Sequence, residues 1–462
     1  MKIKSLVYVL MGTMLVTTSC SDNELEKGND GPGTVDPVNA SPLVKVYADE
    51  KGENLLAEDV FVKDGSSRTI TLNVPIHADK VYMEYNTVSG EVKKASFALS
   101  PVTRSESYPT DFSYETTHNA SVTLSLPEDA VKPTAEPTAD YLFYHSTGVA
   151  MFEDGWPKES TWYDEDFNDV VFEYDIKVSE CQNEELMEIQ GSKEELLLTL
   201  DVRAVGGQIP TQLGVVLENL KSEYVDRITA KLSLKGGQGT ERLLKQVQLS
   251  TESEVSIEAR DWRWDQDDAD KKRYAGLSVN TTPQEGTVIK LDGLSGLHSD
   301  LLDGTPRAYF QTTKGAIREG LPMLRAEVRL IGKDGLKGQD RENQLKAFRD
   351  LILDTQRQNF FIVVNGGKEI HMRGYKPTSA YADYAKDAAT MSGNEAINEN
   401  IPYCNMNGFV WGIKVPVGTR HAYEKVAFET AYPKFKDWAK NNGASYKNWY
   451  EDFEPEETVK YW

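Results

Sequence analysis

Along most of this chain the apolar residues recur at every second position, and that spacing constrains the fold more than any motif does. From Val170 through Phe172, Tyr174 and Ile176 to Val178, and from Leu196 through Leu198, Leu200 and Val202 to Ala204, one side of the backbone is apolar. Side chains alternate across a strand, so a period of two marks strands with one face on a core. Leu324, Ala326, Val328 and Leu330 repeat the pattern, Phe360 to Val364 is a continuous apolar run, and Gly236-Gly237 and Asp334-Gly335 supply turns. Helical spacing is confined to Leu345, Phe348 and Ile352 and to Phe435, Trp438 and Ala439, the second set stopped by Asn442-Gly443. The expectation is a mainly β protein of two unequal antiparallel β-sandwich domains, with accessory helices near the C-terminus. Three prolines and several acids in PEDAVKPTAEPTAD place a boundary near residue 140, between a domain at 43–140 and a larger one at 141–462. No fixed-period repeat is evident, which disfavours solenoids and propellers.

The N-terminus carries an address. Lys2 and Lys4 precede an apolar stretch from Ser5 to Val16 that is too short to span a bilayer, and Thr17-Thr18-Ser19 lead into Cys20. A basic start, a short apolar core and small residues before a cut make a signal peptide. The cysteine makes the segment resemble a lipobox, with Thr17 where leucine is commonest. Removal of residues 1–19 and lipidation of Cys20 are therefore expected, and several acyl chains, at about 0.8 kcal/mol per buried methylene, anchor durably. Ser21, Asp22, Asn23 and Glu24 resemble the acidic tag of lipoproteins sent to the outer cell surface of some Gram-negative bacteria, and 20–42 reads as an acidic flexible linker. Nothing after residue 20 offers about 18 consecutive apolar residues. The body is expected to hang from a lipid anchor in the outer membrane, facing the cell exterior.

A formal charge of −22, from 73 acidic and 51 basic residues, repels nucleic acid and anionic lipid surfaces and suits cation binding or solubility. With Cys20 committed to lipid, Cys181 and Cys404 are left either as a disulfide or as two buried thiols.

The densest chemistry lies in FEDGWPKESTWYDEDFNDVVFEYD at 152–175. Asp164, Asp166 and Asn168 alternate, Asp169 follows, and Glu153 and Asp154 stand a short loop earlier. Calcium takes six to eight oxygen ligands from a loop bent around it, whereas magnesium keeps waters in a tighter octahedron, so calcium is the natural guest of such a set. The EF-hand's glycine at the sixth loop position and glutamate at the twelfth are absent. The same acids also suit turn capping, in which Asp and Asn accept backbone amides. Crowded like charges favour the ion.

These residues resemble the hallmark of the LruC-domain family, a domain of unknown function in surface lipoproteins: FED, then WP, then DxDFND ahead of an apolar strand. KEIHMRGYKPT at 368–378, FVWGIKVPVG at 409–418 and AYPKFKDWAKNNG at 431–443, followed by Trp449-Tyr450, are similar to later blocks of that family in the same order. The resemblance spans roughly 141–462 and implies an exported, non-catalytic sandwich with a calcium loop, without naming a ligand. Met372-Arg373 replace the usual Leu-Pro, and Lys158 to Trp162 replace a glycine expected before the acids.

A second acidic cluster, DWRWDQDDAD at 261–270, sets Asp265, Asp267, Asp268 and Asp270 near Trp262 and Trp264. Sugar stacking beside a cation is one reading, and a solvated loop with buried tryptophans is the other. HExxH, G-x-S-x-G, P-loop and paired Cys-x-x-Cys motifs are absent, and His371 and His421 have no nucleophile near them in sequence. Counting carboxylates does not identify a glycosidase pair. The expected function is a non-catalytic surface module for binding or adhesion to a glycan or a host or matrix protein. The alternatives are a structural component of the envelope or of a surface appendage and, more distantly, a carboxylate-based glycan hydrolase.

Overall fold

The computed structural model describes residues 42–101, 115–134, 141–157, 165–181, 195–207, 209–235, 242–249, 255–262, 273–282, 286–294, 312–314, 323–441 and 443–460. Cys20, residues 20–41 of the linker, Asp164 and the acids of 263–270 lie outside them. Among the described residues six strands precede residue 140: β1 (Val44–Tyr47), β2 (Leu55–Val60), β3 (Ser67–Pro75), β4 (Lys80–Asn86), β5 (Val92–Pro101) and β6 (Thr117–Ser125). After it come β7 (Tyr141–Phe152), β8 (Val170–Cys181), β9 (Glu195–Ala204), β10 (Pro210–Leu217), β11 (Val225–Lys235), β12 (Arg242–Leu249) and β13 (Val255–Trp262). The series ends with β14 (Arg273–Thr282), β15 (Gly286–Asp292), β16 (Met323–Gly332), β17 (Gln358–Val364), β18 (Lys368–His371) and β19 (Gly412–Val415).

The fold is mostly β, as the period of two requires, and its strands form two antiparallel sheets. The larger runs β12-β11-β16-β9-β8-β7-β2-β1-β4-β5-β6-β3, with β19 also on β7; the smaller runs β13-β14-β15-β10-β17-β18. Strand β7 organises the first sheet. One edge pairs with β8 along its whole length, from Tyr141 opposite Cys181 to Phe152 opposite Val170. Its other edge is divided: Phe143 and Tyr144 take Glu58 and Ala57 of β2, and Val149 to Phe152 take β19. Between those two stretches sits Gly148, where an added Cβ would meet the Tyr174 hydroxyl at 2.5 Å and the Val415 carbonyl at 2.8 Å. Through the β2–β7 pairing the sheet continues across residue 140, and residues 40–462 cluster as one unit.

Alternation translates directly into burial. Val170, Phe172, Tyr174, Ile176 and Val178, the even-numbered leucines of β9, and Leu324, Ala326, Val328 and Leu330 of β16 all turn into one core. The smaller sheet closes it from the other side. Phe360 of β17 meets Phe172 at 5.8 Å and Tyr174 at 4.4 Å between ring centroids, contacts worth about 0.5–1.5 kcal/mol each beyond their buried area. Helix α1 (Gly338–Leu353) buries Phe348, Leu351 and Ile352, whereas Leu345 is half-buried. Gln344 is also buried there because its amide donates to the Tyr224 and Lys333 carbonyls at 2.8 and 3.0 Å.

At the start of β8 the period of two breaks, since Val171 is as buried as its neighbours. The cause is a second core on the opposite face of β7–β9, where Val149, Met151 and Val171 are covered by the C-terminal segment, including Phe428, Tyr432, Trp438 and Trp449. That segment carries the short helices α2 (Tyr384–Ala388), α3 (Phe428–Ala431) and α4 (Phe435–Lys440). Gly443, at φ +72°, closes α4 by donating its amide to the Trp438 carbonyl at 2.9 Å. Cys404 is buried in this second core with Phe167 and Val171. Cys181 ends β8 some 35 Å of strand away from Val170, at roughly 3.3 Å per residue. A disulfide needs Cα atoms within about 7 Å, so this geometry leaves Cys181 and Cys404 unbridged to each other. Among the described residues no helix is long and apolar enough to cross a membrane.

Candidate functional site

The loop leaving β7 is fastened by its own acids. The Glu153 carboxylate is buried and accepts the Phe167 amide. Buried Asp166 accepts the Asn168 amide at 3.1 Å on one oxygen and the Lys425 amide at 2.8 Å on the other. Asp169 accepts the Asp154 amide at 2.7 Å, and Asn168 donates its side-chain amide to the Ala422 carbonyl at 3.3 Å. Aromatic side chains hold the rest. Trp156 packs among Tyr384, Tyr403 and Trp411 and donates its indole N–H to the Tyr381 hydroxyl at 3.0 Å; Phe167 packs on Phe409, Phe428 and Phe435. Glu165 and Phe167 take left-handed backbone conformations, φ 51° and 53°, which side-chain-bearing residues adopt at a cost of order 1–3 kcal/mol. Glu153 and Asp166 thus perform the amide-capping role and tie the loop to the C-terminal segment.

Other oxygens of the same set converge on the Gly206-Gly207 step after β9. The two glycine amides donate to the Asn168 and Asp169 carbonyls, each at 3.1 Å. A Cβ on Gly206 would strike Asn168 Oδ1 and meet Asn168 O at 2.8 Å and Thr312 Oγ1 at 2.9 Å. One on Gly207 would strike Asp154 Oδ2 and meet Asp169 Oδ1 at 2.9 Å. Only glycine lets the backbone approach this closely. Asn168 is fully buried and its Oδ1 has no hydrogen-bond partner, although buried acceptors are nearly always satisfied. Burial, then the Glu153 and Asp154 charges, push the Asp169 carboxyl well above the usual carboxylate range. Among the described residues no three His, Cys, Asp or Glu side chains are grouped to hold a metal ion. The oxygens at the glycine step come instead from two aspartates, an asparagine, a threonine and the backbone.

Two buried networks escaped the sequence reading. His145 of β7 bonds Asp175 of β8 through Nδ1 at 3.0 Å and Glu58 of β2 through Nε2 at 3.4 Å, while Lys177 pairs with Glu58 as well. Burial opposes a charged ring, but the two carboxylates outweigh it and raise His145 to about 9. In the second sheet Glu369 accepts from the Thr378 amide and hydroxyl, both at 2.8 Å, and from Lys290 at 3.1 Å. Its burial is outweighed by His371 and Lys290, and its carboxyl falls to about 2. His371 itself is fully buried between Glu369 and Asn359, and His421 bonds the Ala422 carbonyl at 2.8 Å. Both histidines are pushed down by burial, and both serve the core.

A cavity of about 390 Å³ opens beside β19, lined among others by Glu115, Glu218, Met372, Tyr375, Ile413 and Lys414. Lys414 donates to the Thr355 carbonyl at 2.9 Å and to the Tyr375 hydroxyl at 3.4 Å. Burial lowers the lysine's affinity for its proton, against the pull of Glu115, Asp354 and Glu218. Glu218 is raised, chiefly by burial.

Residues 339–450 match the family model described as a domain of unknown function, DUF4842. A crystal structure of a "Putative lipoprotein" from Bacteroides ovatus is similar over 92% of this chain and 100% of that one, with 58% identity and a TM-score of 0.82. The chain belongs to that protein's family. Within the family fold, the DUF4842 region begins in α1 and runs through β17, β18 and β19 to the aromatic C-terminal segment. It therefore supplies the walls of the cavity at 372–376 and 412–414 and the residues, Ala422 and Lys425, to which the 153–169 loop is tied. No curated protein matches the chain.

Proposed function

We propose that the protein is a non-catalytic surface lipoprotein, tethered by lipid on Cys20 and displayed outward from the outer membrane, that binds a glycan or protein ligand on a scaffold ordered by calcium. The lipobox-like segment and the lipoprotein description of the Bacteroides ovatus relative support the tether. Metabolic labelling with an alkynyl fatty acid tests it: label that persists after Cys20→Ala would refute Cys20 as the attachment point, and protease shaving of intact cells tests outward display.

The observation that carries the calcium reading is the buried, unpartnered Oδ1 of Asn168 beside Thr312 Oγ1, with Asp154 Oδ2 and Asp169 Oδ1 at the next glycine. An all-oxygen set mixing carboxylate, amide and backbone donors fits a hard cation and suits calcium better than magnesium. Asp154, Asn168 and Asp169 would hold the ion. Glu153 and Asp166 would set the loop's shape. The ion would then add its binding energy to the loop's attachment to β8 and to the C-terminal segment.

Thermal and urea unfolding of residues 21–462, in excess chelator and in millimolar calcium with magnesium as control, decides the matter. At 100 times its dissociation constant the ion adds about 2.7 kcal/mol, and Asp154→Asn with Asn168→Ala removes most of that increment. Identical wild-type curves with and without calcium would leave the acids as amide caps alone.

A further inference from the structure

We infer that the cavity beside β19 binds one or two rings of a neutral sugar, an assignment that rests on the binding reading above and gives it a site and a ligand class. The walls are held in place before any ligand arrives. β19 is fixed to β7 over Gly412 to Val415, the Gly374 amide donates to the Pro402 carbonyl at 2.8 Å, and the Tyr375 amide to the Met372 carbonyl at 3.2 Å. Gly412 brings its backbone against Phe152 and Met372, where an added Cβ would meet Phe152 Cε1 at 2.6 Å. At about 390 Å³ the space lies within the range of roughly 300–1,000 Å³ usual for small-molecule sites.

The ligand class follows from what each polar group can do. An ammonium donates only, and an ionised carboxylate accepts only. Lys414 spends two of its three N–H groups on Thr355 and Tyr375, leaving one for a ligand. Glu218 accepts Asn359 on Oε1 at 3.2 Å, leaving Oε2. Glu115, Arg373 and Lys376 line the same space. A phosphate or carboxylate ligand brings acceptors alone, which suit Arg373, Lys376 and Lys414 but not Glu115 and Glu218 in the same lining. A polyamine brings donors alone and would face the three cations Arg373, Lys376 and Lys414. A hydroxyl serves both partners, and a sugar ring carries hydroxyls around its rim with apolar C–H faces suited to Met372, Ile413 and the Tyr375 ring. The mixed lining therefore selects a neutral polyhydroxylated ring over either kind of ion.

Saturation-transfer NMR on residues 21–462 tests the site, using glucose, galactose, mannose, N-acetylglucosamine and their disaccharides, with inorganic phosphate, putrescine and glycylglycine as competing chemistries. At least one neutral sugar should receive saturation, strongest on its ring C–H protons. Glu218→Gln should weaken its binding roughly tenfold or more, the cost of one hydrogen bond to a charged group. Lys414→Met is the second variant, accepted only where circular dichroism and unfolding show the fold retained. Silence from every sugar at tens of millimolar, binding unchanged by Glu218→Gln, or occupancy by phosphate, putrescine or the dipeptide instead would overturn the assignment. Retention of an extracellular glycan or protein that survives both substitutions would overturn this site and leave the broader binding reading standing.

Discussion

His145 offers a quantitative test of how the N-terminal strands are joined to the rest of the sheet, because its ring binds carboxylates on both neighbouring strands. A rise from 6.5 to about 9 corresponds to about 3 kcal/mol of preference for the charged ring in the folded state. Glu58, lowered to about 2, reports the same interaction from the other partner, so the two are not added. The Asp175 side chain is 38% exposed, and solvent screening reduces the expectation to about 2 kcal/mol. Since the folded value lies above the unfolded one, this stabilisation is complete below about pH 6.5 and is lost as the pH rises through about 9. Urea unfolding from pH 6 to pH 10, on wild type and on His145→Gln, isolates the effect, because lysines and tyrosines that titrate near the upper limit contribute equally to both. The wild-type advantage at pH 6 should shrink by about 2 kcal/mol by pH 10. Two curves that stay parallel across that window would refute the reasoning.

Phe360→Ala should cost about 3–5 kcal/mol in urea unfolding, since it empties the contact between the two sheets against Phe172 and Tyr174; a loss below about 1 kcal/mol would mean that the sheets repack without it. Reductant should leave the unfolding midpoint of residues 21–462 unchanged, because Cys181 and Cys404 stand at opposite ends of β8, and a clear drop would contradict that placement.

The strands were legible because each of β8, β9 and β16 keeps one face on a core and so writes its burial into every second residue. Val171 and Met151 were not, since their burial depends on a C-terminal segment folding back over the second face from more than two hundred residues away. The acids of 153–169 announced themselves by density, but their roles depended on partners that carry no side-chain signal: the amides of Phe167, Asn168 and Lys425 and the carbonyl of Ala422. Gly206 and Gly207 gave no hint, being an ordinary turn signal until Asn168 and Asp169 are placed against them. The His145 network unites residues 87 and 30 positions away in the chain, and Glu218, just past the end of β10, lines one cavity with Lys414 of β19, a meeting that no local pattern announces. Helical spacing located α1 and α4 correctly while misjudging Leu345, whose place the buried polar Gln344 takes by satisfying two carbonyls.

The position of β1 within the large sheet has a mechanical consequence. Any pull on the chain ahead of Val44 enters the body through β1, which is not an outer strand: β2 bonds it on one side and β4 on the other. An edge strand can be peeled by breaking one ladder, whereas extracting β1 means rupturing two, and the load then passes through β2 to β7 and into the widest part of the sheet. A body dragged by flow while held at its N-terminal end would thus carry tension through its interior, where the strands have neighbours on both sides, and would spare β3 and β12 at the margins.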